Sequence, residues 1–588
     1  MSIRFLQRHS LNVRSHLFAI LLLLQAGCGV YAGPLPTDLV NVRAGSTFVV
    51  DRRYDLGRST WTIPQNVVLV FKENGVIANG SIKGASTVLR AGKTVSRILQ
   101  DLVIEGTWKV DTVYSNWLDF VENKNNLRQT RNLFALCASN VKNTVFIGPG
   151  TYQLDSYDSQ AKSASVIRIP SNTTVYNQAV FQGLPHANTQ SFLFYFRDVT
   201  NCTWDGGKIV GDLNGHLSDK GEQGYGFALR GARNITIRNV VCNDFWGDGI
   251  NLQYLGNNVH NENILIENVK CDGNRRQGIS IEDGVHVIVR NSVFSNTGIR
   301  RGIAPMRGID IEPSYEQAVI NDILVSGCEF VNNAGGGLAC SSIKETDANI
   351  VIRNCSDLSG GLRINDCRIR ANAKGLEIVN YQCPGGKLQF KRQISNVHIS
   401  GSSFMSALCE TRTDTFSNVS FDNVRFSTAE QRTWNYYCLS LVCADMKNVT
   451  FDHCYFEIRQ GSNLSAVLPS GGDWTGAVIR NSEIIDRRSN QMFIPCDIYN
   501  SKVECESGLS FTNSKRTASL FFEGNEVKIR KAIEDSPFIF HSSSNPSYEI
   551  RSNKVQSPGR INTNKLVQRY RTNNVEPKVR MNANSFTR

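Results

Sequence analysis

The sequence predicts an all-β protein that folds as a right-handed, single-stranded parallel β-helix (a solenoid) with a short N-terminal capping helix. Three features lead to this prediction. A nine-residue template recurs about fifteen times, each copy alternates apolar and polar residues, and a second, Gly-led strand follows many copies. Repeats of this kind stack on their neighbours and bury one continuous core between them.

The template reads x-Φ-x-Φ-x-[N/G/S]-x-x-Φ, where Φ is apolar, and its alternation is typical of a half-buried strand. Its clearest copies begin at Asn234, Asn263, His286, Asp322, Asn396, Asn418 and Asn448. Looser copies begin at Asn172, Asn201, Asn349, Gly375, Gly476, Ser519, Ser547 and Lys578. The sixth position favours residues that tolerate a left-handed backbone, so we expect a bend there and a ladder of stacked Asn side chains. The Asn residues in this position are Asn239, Asn268, Asn291, Asn354, Asn380, Asn423 and Asn481.

The second strand has the pattern Gly-Φ-x-Φ-x, in which the two apolar residues face the core and the x positions face outward. Its copies begin at Gly226, Gly249, Gly278, Gly308, Gly337, Gly361 and Gly375. Stacking predicts one outward column of Asn251, Ser280, Asp310 and Ala339, and a second column of Gln253, Glu282, Glu312 and Ser341. Neighbouring rungs lie about 4.8 Å apart, so residues distant in the chain become neighbours in each column.

The N-terminus is typical of an export signal. Residues 1–32 carry Arg but no acid, then a short apolar run, and a small-x-small site ends at Ala32. Cys28 offers lipoprotein anchoring as the alternative. We expect residues 33–142 to form a β-rich leader with a capping helix near 123–139, and residues 143–588 to form the β-helix. The mature protein is then secreted, periplasmic or on the cell surface, with no membrane span.

Charge indicates an anionic partner. Cleavage after Ala32 removes three Arg, which lowers the net charge from +12 to +9 and suits an acidic polysaccharide. Nothing in the sequence indicates a nucleic-acid partner.

Most cysteines are expected to be buried small hydrophobic residues, because many of them occupy apolar template positions. Those in repeat positions are Cys202, Cys242, Cys271, Cys328, Cys355, Cys383 and Cys454.

The Asn ladder, the Gly-Φ-x-Φ strands and the Asn-led template resemble the pectin-lyase-like superfamily from about residue 143 onward. The segments FKENGVIANGSIKG and IEGTWKVDTVYSNW resemble the leader of exported β-helix proteins of the Bacteroidetes type. This resemblance implies a carbohydrate-active protein, in a superfamily that includes polygalacturonases, lyases, epimerases and phage tailspikes. The strand entry WGDGIN at 246–251 is similar to the NTDGID entry of polygalacturonases, which matches Asp248 to one catalytic carboxylate. Their paired aspartates on the next rung and their Gly-His-Gly motif have no match here.

Carboxylates on three consecutive rungs form the candidate catalytic set, which we name the carboxylate cluster: Asp248, Glu282, Asp310 and Glu312. Carboxylates that lie close together raise one another's pKa, which favours a proton donor. An adjacent Arg lowers the pKa of a carboxyl group and keeps it ionised, which favours a base. The spacing expected from stacking covers both geometries of glycoside hydrolysis, with carboxyl groups about 5–5.5 Å or about 6.5–9.5 Å apart. The candidate substrate-binding residues are Asn251, Gln253, Asp244, Trp246, Arg275, Arg276, Arg307, Tyr225 and Tyr254.

A polar loop within 205–225 is expected to form one side of a substrate groove beside the outward columns. No metal site and no cofactor are predicted, with Ca²⁺ as the one ion that a carboxylate cluster could bind. The first functional hypothesis is a polysaccharide-degrading glycoside hydrolase acting on an acidic chain. The second is a lyase or C5-epimerase on uronates, with Arg275, Arg276 and Arg307 neutralising the substrate carboxylate. The third is a non-catalytic glycan-binding solenoid.

Overall fold

The computed structural model describes residues 32–587, except 138–140, 156, 159–162, 165–166, 347, 410–413, 429–438, 442–444, 459–473, 488–490, 512–518, 534–535, 542–546, 560, 562–564 and 571–576. The expected export signal and Cys28 therefore lie outside the described residues, apart from Ala32. The chain forms two compact units. The first comprises the described residues up to Val110 together with 116–119, and the second comprises 111–115 and 120 onward.

The first unit is a small parallel sheet preceded by one helical turn, Thr37–Val40. Every strand pair in it is parallel. Its core includes the buried side chains of Trp61 and Ile82. The strands are Thr47–Val50, Arg53–Asp55, Thr60–Thr62, Val68–Phe71, Val76–Arg90 and Leu99–Lys109. A 3₁₀ turn spans Ser115–Trp117.

The second unit is the predicted β-helix, in which each coil contributes three strands and each strand pairs in parallel with the equivalent strand of the next coil. We name the three resulting sheets walls A, B and C. Wall A holds two strands without a leading glycine and then the Gly-led strands from Gly226 to Gly361: Ile167–Arg168, Gln190–Arg197, Gln223–Arg230, Asp248–Gln253, Gln277–Ile281, Arg307–Ile311, Leu338–Ser341 and Gly361–Ile369. The Gly-led copy predicted at Gly375 lies on wall B instead, because Gly375 pairs with Asn349 of a template strand. Further along the chain a separate four-stranded parallel sheet forms from Met492–Ile494, Leu509–Phe511, Phe538–His541 and Val567–Tyr570.

Wall B holds the template strands. They are Thr112–Tyr114, Asn143–Ile147, Thr173–Asn177, Thr200–Asp205, Arg233–Arg238, Glu262–Glu267, Gly284–Arg290, Ile320–Ser326, Asn349–Leu358, Gly375–Ser400, Thr415–Asp422, Asp445–Asp452, Ala477–Arg480, Asp497–Tyr499, Leu520–Glu523, Ser547–Arg551 and Lys578–Asn582. The longest, Gly375–Ser400, continues around the corners and pairs with strands of all three walls.

Wall C is formed by short strands that close each coil. They are Thr151–Leu154, Val180–Gly183, Lys208–Val210, Val241–Asn243, Lys270–Asp272, Val293–Ser295, Glu329–Val331, Ser403–Cys409, Arg425–Thr428, Tyr455–Ile458, Glu483–Asp486, Lys502–Cys505, Glu526–Ile529, Lys554–Gln556 and Ser585–Thr587. The remaining short strands are Tyr157–Asp158, Ser163–Ala164, Lys344–Thr346 and Leu439–Ser440.

The bend at the sixth template position is confirmed. Asn239 and Asn268 have φ of 56° and 52°, and Gly327 and Gly401 in the same slot have 61° and 56°. The Asn268 amide donates to Oδ1 of Asn239 at 3.3 Å, so the ladder is present. A second ladder, which the sequence analysis did not predict, runs through the first template position. There Asn234 donates to the side chain of Asn201 at 3.0 Å.

In the interior, residues of the same type stack on one another along the coil axis, as the repeat predicts. Aromatic rings continue from coil to coil through Phe294, Phe330 and Tyr381, with centroids 5.6 and 6.3 Å apart. The seven cysteines in repeat positions are buried and form no disulfide, which confirms that they act as small apolar residues.

The expected N-terminal helix occurs as Leu127–Ala135 and buries Leu133 and Phe134. It is shorter than 123–139, and its capping role and the domain boundary at residue 142 remain predictions. No helix among the described residues has the length and apolar character needed to cross a bilayer.

The left-handed corner gives a stability prediction. Replacing the exposed Asn268 by Ala should lower the free energy of unfolding by about 1–3 kcal/mol, because Ala is disfavoured at φ 52° and loses the ladder hydrogen bond. Replacing it by Gly keeps the backbone conformation and should cost less. Denaturant unfolding of both variants measures this difference, and an equal loss in the two would rule out the backbone as its cause.

Candidate functional site

The candidate site lies on wall A, where the stacking register is as predicted. Asn251 pairs with Ser280, Ser280 with Asp310, and Asp310 with Ala339. One corner earlier, Asp248, Gln277 and Arg307 form a parallel column. The strand entries need glycine here, because a Cβ on Gly278 would lie 2.4 Å from the carbonyl oxygen of Gly308. Close stacking of these entries therefore brings the carboxylates of separate rungs together.

Asp248 is completely buried, and one of its carboxylate oxygens receives every hydrogen bond that the side chain accepts. Oδ2 accepts from Ser280 Oγ at 2.8 Å, from Arg276 Nη1 at 3.3 Å and from Asn251 Nδ2 at 3.4 Å. Oδ1 is buried and has no hydrogen-bond partner. Burial raises the pKa of Asp248 to about 6, and the Arg276 guanidinium limits that rise.

Asp310, two rungs away, is arranged in the same manner. Its Oδ2 accepts from Gln277 Nε2 at 2.8 Å, while its buried Oδ1 has no partner. Gln277 is itself held, because its Oε1 accepts from the backbone N–H of Arg307 at 2.8 Å. Burial and the charge of Glu312 raise the pKa of Asp310 to about 7. Burial thus raises the pKa of both aspartates above the ordinary value.

Glu282 differs from both aspartates, since its two oxygens are well supplied with donors. Oε1 accepts from Asn251 at 2.8 Å, and Oε2 accepts from Gln253 at 3.0 Å and from Ser314 Oγ at 2.6 Å. Asn251 therefore bridges Asp248 and Glu282. Glu312 is the half-buried member of the carboxylate cluster. Its charge raises the pKa of the neighbouring Asp310.

Three of the predicted binding residues turn out to stabilise the wall. The Trp246 ring is 1% exposed, and it lies between the His216 ring at 3.8 Å and the Arg275 guanidinium at 3.6 Å. Arg275 also donates to the carbonyl oxygens of Gly221 and Arg301. The ring of Trp246 and the guanidinium of Arg275 are therefore both occupied by contacts within the protein, and their binding roles stay predictions. The third, Asp244, forms an ion pair with Arg300.

Arg276 is the cation of the site, placed between Asp248 at 3.3 Å and Glu222 at 3.7 Å. Arg307 lies deeper and donates to the carbonyl oxygens of Leu338 and Gly361. Burial lowers the pKa of Arg307 to about 10, and the charge of Arg363 adds to this effect. Of the three arginines predicted to bind substrate, only Arg276 keeps contact with a carboxylate of the cluster.

The two tyrosines take different places. Tyr225 is buried and stacks on Phe192, with centroids 5.2 Å apart. Its pKa is raised well above the usual value by burial, with further contributions from the charges of Asp248 and Glu282. Tyr254 is half-buried at the rim and stacks on His260 at 5.1 Å.

The carboxylates have three partners that the sequence pattern did not predict: Gln277, Ser280 and Ser314. The strand register could have indicated Gln277 and Ser280, because Gln277 pairs with Asp248 and Ser280 pairs with Asp310 on neighbouring rungs. The sequence pattern also did not predict a cluster that we name the histidine triad, formed by His186, Asp212 and His216. Asp212 and His216 belong to the predicted polar loop within 205–225, whereas His186 lies outside it. His186 precedes them by most of a coil.

Comparisons with known proteins agree with this architecture. A family model described as "Right handed beta helix region" matches residues 194–356. The chain is 26% identical over 219 residues to the uncharacterized protein YclG of Bacillus subtilis (strain 168), covering 33% of this chain and 37% of that protein. The match thus spans well under half of the relative's length. The family match and the observed coil confirm the right-handed β-helix superfamily.

Two solved structures are among those to which the chain shows similarity. The pre-mature bacteriophage phi29 gene product 12 has a TM-score of 0.43 at 14% identity, covering 75% of this chain and 64% of that chain. The tailspike protein of E. coli bacteriophage HK620 has a TM-score of 0.39 at 13% identity, covering 79% of this chain and 76% of that chain.

The raised pKa of Asp310 gives a prediction for stability. The folded protein retains a proton on Asp310 up to about pH 7, whereas the unfolded chain releases it near the ordinary value of 3.8. The free energy of unfolding therefore falls as pH rises from about 4 to 7, and the full penalty is present above pH 7. Asp310→Asn should raise the melting temperature at pH 8, corresponding to a few kcal/mol, and should have little effect near pH 4.

Melting curves at both pH values measure the effect, with the exposed Asp51→Asn as the control. A pH-independent change in Asp310→Asn would show that the buried charge does not carry this penalty.

Proposed function

We propose that this right-handed β-helix protein is an exported polysaccharide-degrading glycoside hydrolase, in which Asp310 is the general acid and Asp248 the general base. One observation carries the proposal. Two buried carboxyl groups on one wall each have one oxygen bound by protein donors and one oxygen with no protein partner. A paired acid and base is what hydrolysis of a glycosidic bond requires.

Asp310 suits the acid role because burial and Glu312 favour its protonated form near neutral pH. It would donate its proton to the glycosidic oxygen as the bond to the anomeric carbon breaks. Gln277 fixes Oδ2 through a hydrogen bond that a carboxylic acid and a carboxylate can both accept. The second oxygen therefore stays available for the proton that is transferred.

Asp248 suits the base role because Ser280, Asn251 and Arg276 donate to it and favour its ionised form. It would take a proton from the water that attacks the anomeric carbon. Oδ1 of Asp248 and Oδ1 of Asp310 are both shielded from solvent, so the substrate must displace a neighbouring side chain to reach them. The side chain of Arg276, which is 17% exposed, is the candidate to move.

Arg276 also supports an acidic substrate. Its guanidinium lies among Asp248, Glu222 and Ser280, so a uronate carboxylate could replace one of these partners. The same position supports the second hypothesis, a uronate lyase or epimerase, in which Arg276 would neutralise the substrate carboxylate and Asp248 would abstract the adjacent proton. The proposed location outside the cytoplasm rests on the export-type N-terminus and on the basic net charge.

The experiment that separates these hypotheses is digestion of a panel of acidic and neutral polysaccharides, with and without Ca²⁺. Mass spectrometry and reducing-end assays follow the products. New reducing ends without an unsaturated sugar support the hydrolase. Unsaturated uronates establish a lyase, altered uronate composition without cleavage establishes an epimerase, and binding without any product establishes a non-catalytic solenoid. Each of these last three outcomes would overturn the proposal.

Substitution of the two aspartates should abolish catalysis while keeping the fold. Asp248→Asn and Asp310→Asn should each lower kcat at least about 100-fold on the polysaccharide that is cleaved, because each removes one proton-transfer group. Glu329→Gln, an exposed carboxylate on wall C, is the matched control and should leave kcat unchanged. Rates near wild type in both aspartate variants, with each variant shown to be folded, would remove this cluster as the catalytic centre.

The pH profile tests the assignment of roles. Activity requires ionised Asp248 and protonated Asp310, so kcat/KM should rise through about pH 6 and fall through about pH 7. Arg276→Gln should move both limbs to higher pH, because Arg276 lowers the pKa of both carboxyl groups. Arg290→Gln, which removes a wall B arginine paired with Glu267, is the control. A profile that does not move in Arg276→Gln would contradict the assignment.

A further inference from the structure

The histidine triad lies outside the carboxylate cluster and has no part in the proposed reaction. His186 follows the wall C strand Val180–Gly183, while Asp212 and His216 follow the next one, Lys208–Val210. His216 Nδ1 lies 2.8 Å from Asp212 Oδ2, and His186 Nε2 lies 3.5 Å from the same oxygen. The three side chains are no more than 5% exposed. Two imidazoles and one carboxylate therefore meet in a buried place.

The ligand atoms of the triad meet at one carboxylate oxygen. Asp212 Oδ2 is approached by both imidazoles and also accepts from the backbone N–H of His186 at 3.3 Å. The three residues offer ligand atoms that all lie within 4.8 Å of one another. The Trp246 ring covers one face of the His216 imidazole at 3.8 Å, which shields this place from solvent.

We propose that His186, Asp212 and His216 bind one divalent transition-metal ion, with Zn²⁺ as the ion that best fits the ligands. Two His and one carboxylate form a common zinc ligand set, with bonds of about 2.0–2.2 Å and tetrahedral angles. Such bonds place the ligand atoms about 3.3–3.4 Å apart. The contact of 3.5 Å to His186 matches that separation. The contact of 2.8 Å to His216 widens slightly when the ion replaces the proton between the two groups.

The ion would act on the wall of the groove and not on the bond that is cleaved. Asp212 and His216 belong to segment 211–222, whose far end holds Glu222 against Arg276. The same segment accepts hydrogen bonds from Arg301 at the carbonyl oxygens of Leu213 and His216. A metal bound at its start would tie the segment to the preceding coil. This proposal does not depend on the hydrolase assignment.

The test uses the full-length mature protein, prepared without a histidine tag. Elemental analysis should find about one Zn²⁺ per chain. After chelation, calorimetric titration with Zn²⁺ should restore one site and raise the melting temperature, because the ion binds the folded state only. Co²⁺ should give the visible absorption of a tetrahedral site. These measurements are independent of activity on any polysaccharide.

Variants locate the site. His186→Gln and His216→Gln should each weaken Zn²⁺ binding at least about 100-fold, since each removes one of three protein ligands. His260→Gln is the matched control, because His260 contacts Asp283 at 2.7 Å without belonging to the triad, and it should bind Zn²⁺ like wild type. If a triad variant fails to fold, the Zn²⁺ stoichiometry and Co²⁺ spectrum of the wild-type protein decide. Absence of a stoichiometric site, or equal affinity in folded triad variants and control, would overturn the proposal and leave a hydrogen-bonded cluster.

Discussion

In-register parallel stacking of the coils is the constraint on which the rest of the structure depends. Each strand pairs with its equivalent one coil later, so a side chain meets the residue in the same template position of the next coil. The bends between the walls of each coil restrict which residues can occupy them, since the backbone must turn there without losing the strand register. Asn and Gly with positive φ provide the turn, and stacked Asn amides such as Asn268 on Asn239 satisfy one another.

The same stacking explains how charged groups come to be buried. A carboxylate on one rung is covered by polar residues of the rungs beside it, as Asp248 is covered by Ser280 and Arg276. Burial favours the protonated acid, and each donor favours the ion, so the balance differs between Asp248 and Asp310. A buried carboxylate oxygen without a hydrogen-bond partner lowers the stability of the folded protein, and an apolar residue at the same position would not. Groups that carry a cost of this kind are typical of functional sites.

Periodicity made the coil, the left-handed corners and the outward columns predictable from the sequence. Asp248 and Asp310 could be placed on one wall, because the Gly-Φ-x-Φ pattern fixes which side chains leave the core. The contacts of long side chains could not be predicted, since they depend on loops that the repeat does not specify. Trp246 appeared free to stack on sugars, but it is covered by Arg275 and by His216 from segment 211–222. The position of His186 was missed for the same reason.

Segment 211–222 therefore matters more than its irregular sequence suggests. Its side of the wall contains a continuous series of contacts, from the histidine triad through the His216–Trp246 stack to Arg275, which donates to Gly221. Glu222 follows directly and faces Arg276, the residue that holds Asp248. A change at the triad can reach the carboxylate cluster through this segment, or through Trp246, which stacks on His216 and precedes Asp248 by two residues. The irregular loop thereby adds a second carboxylate partner to Arg276, the cation beside Asp248.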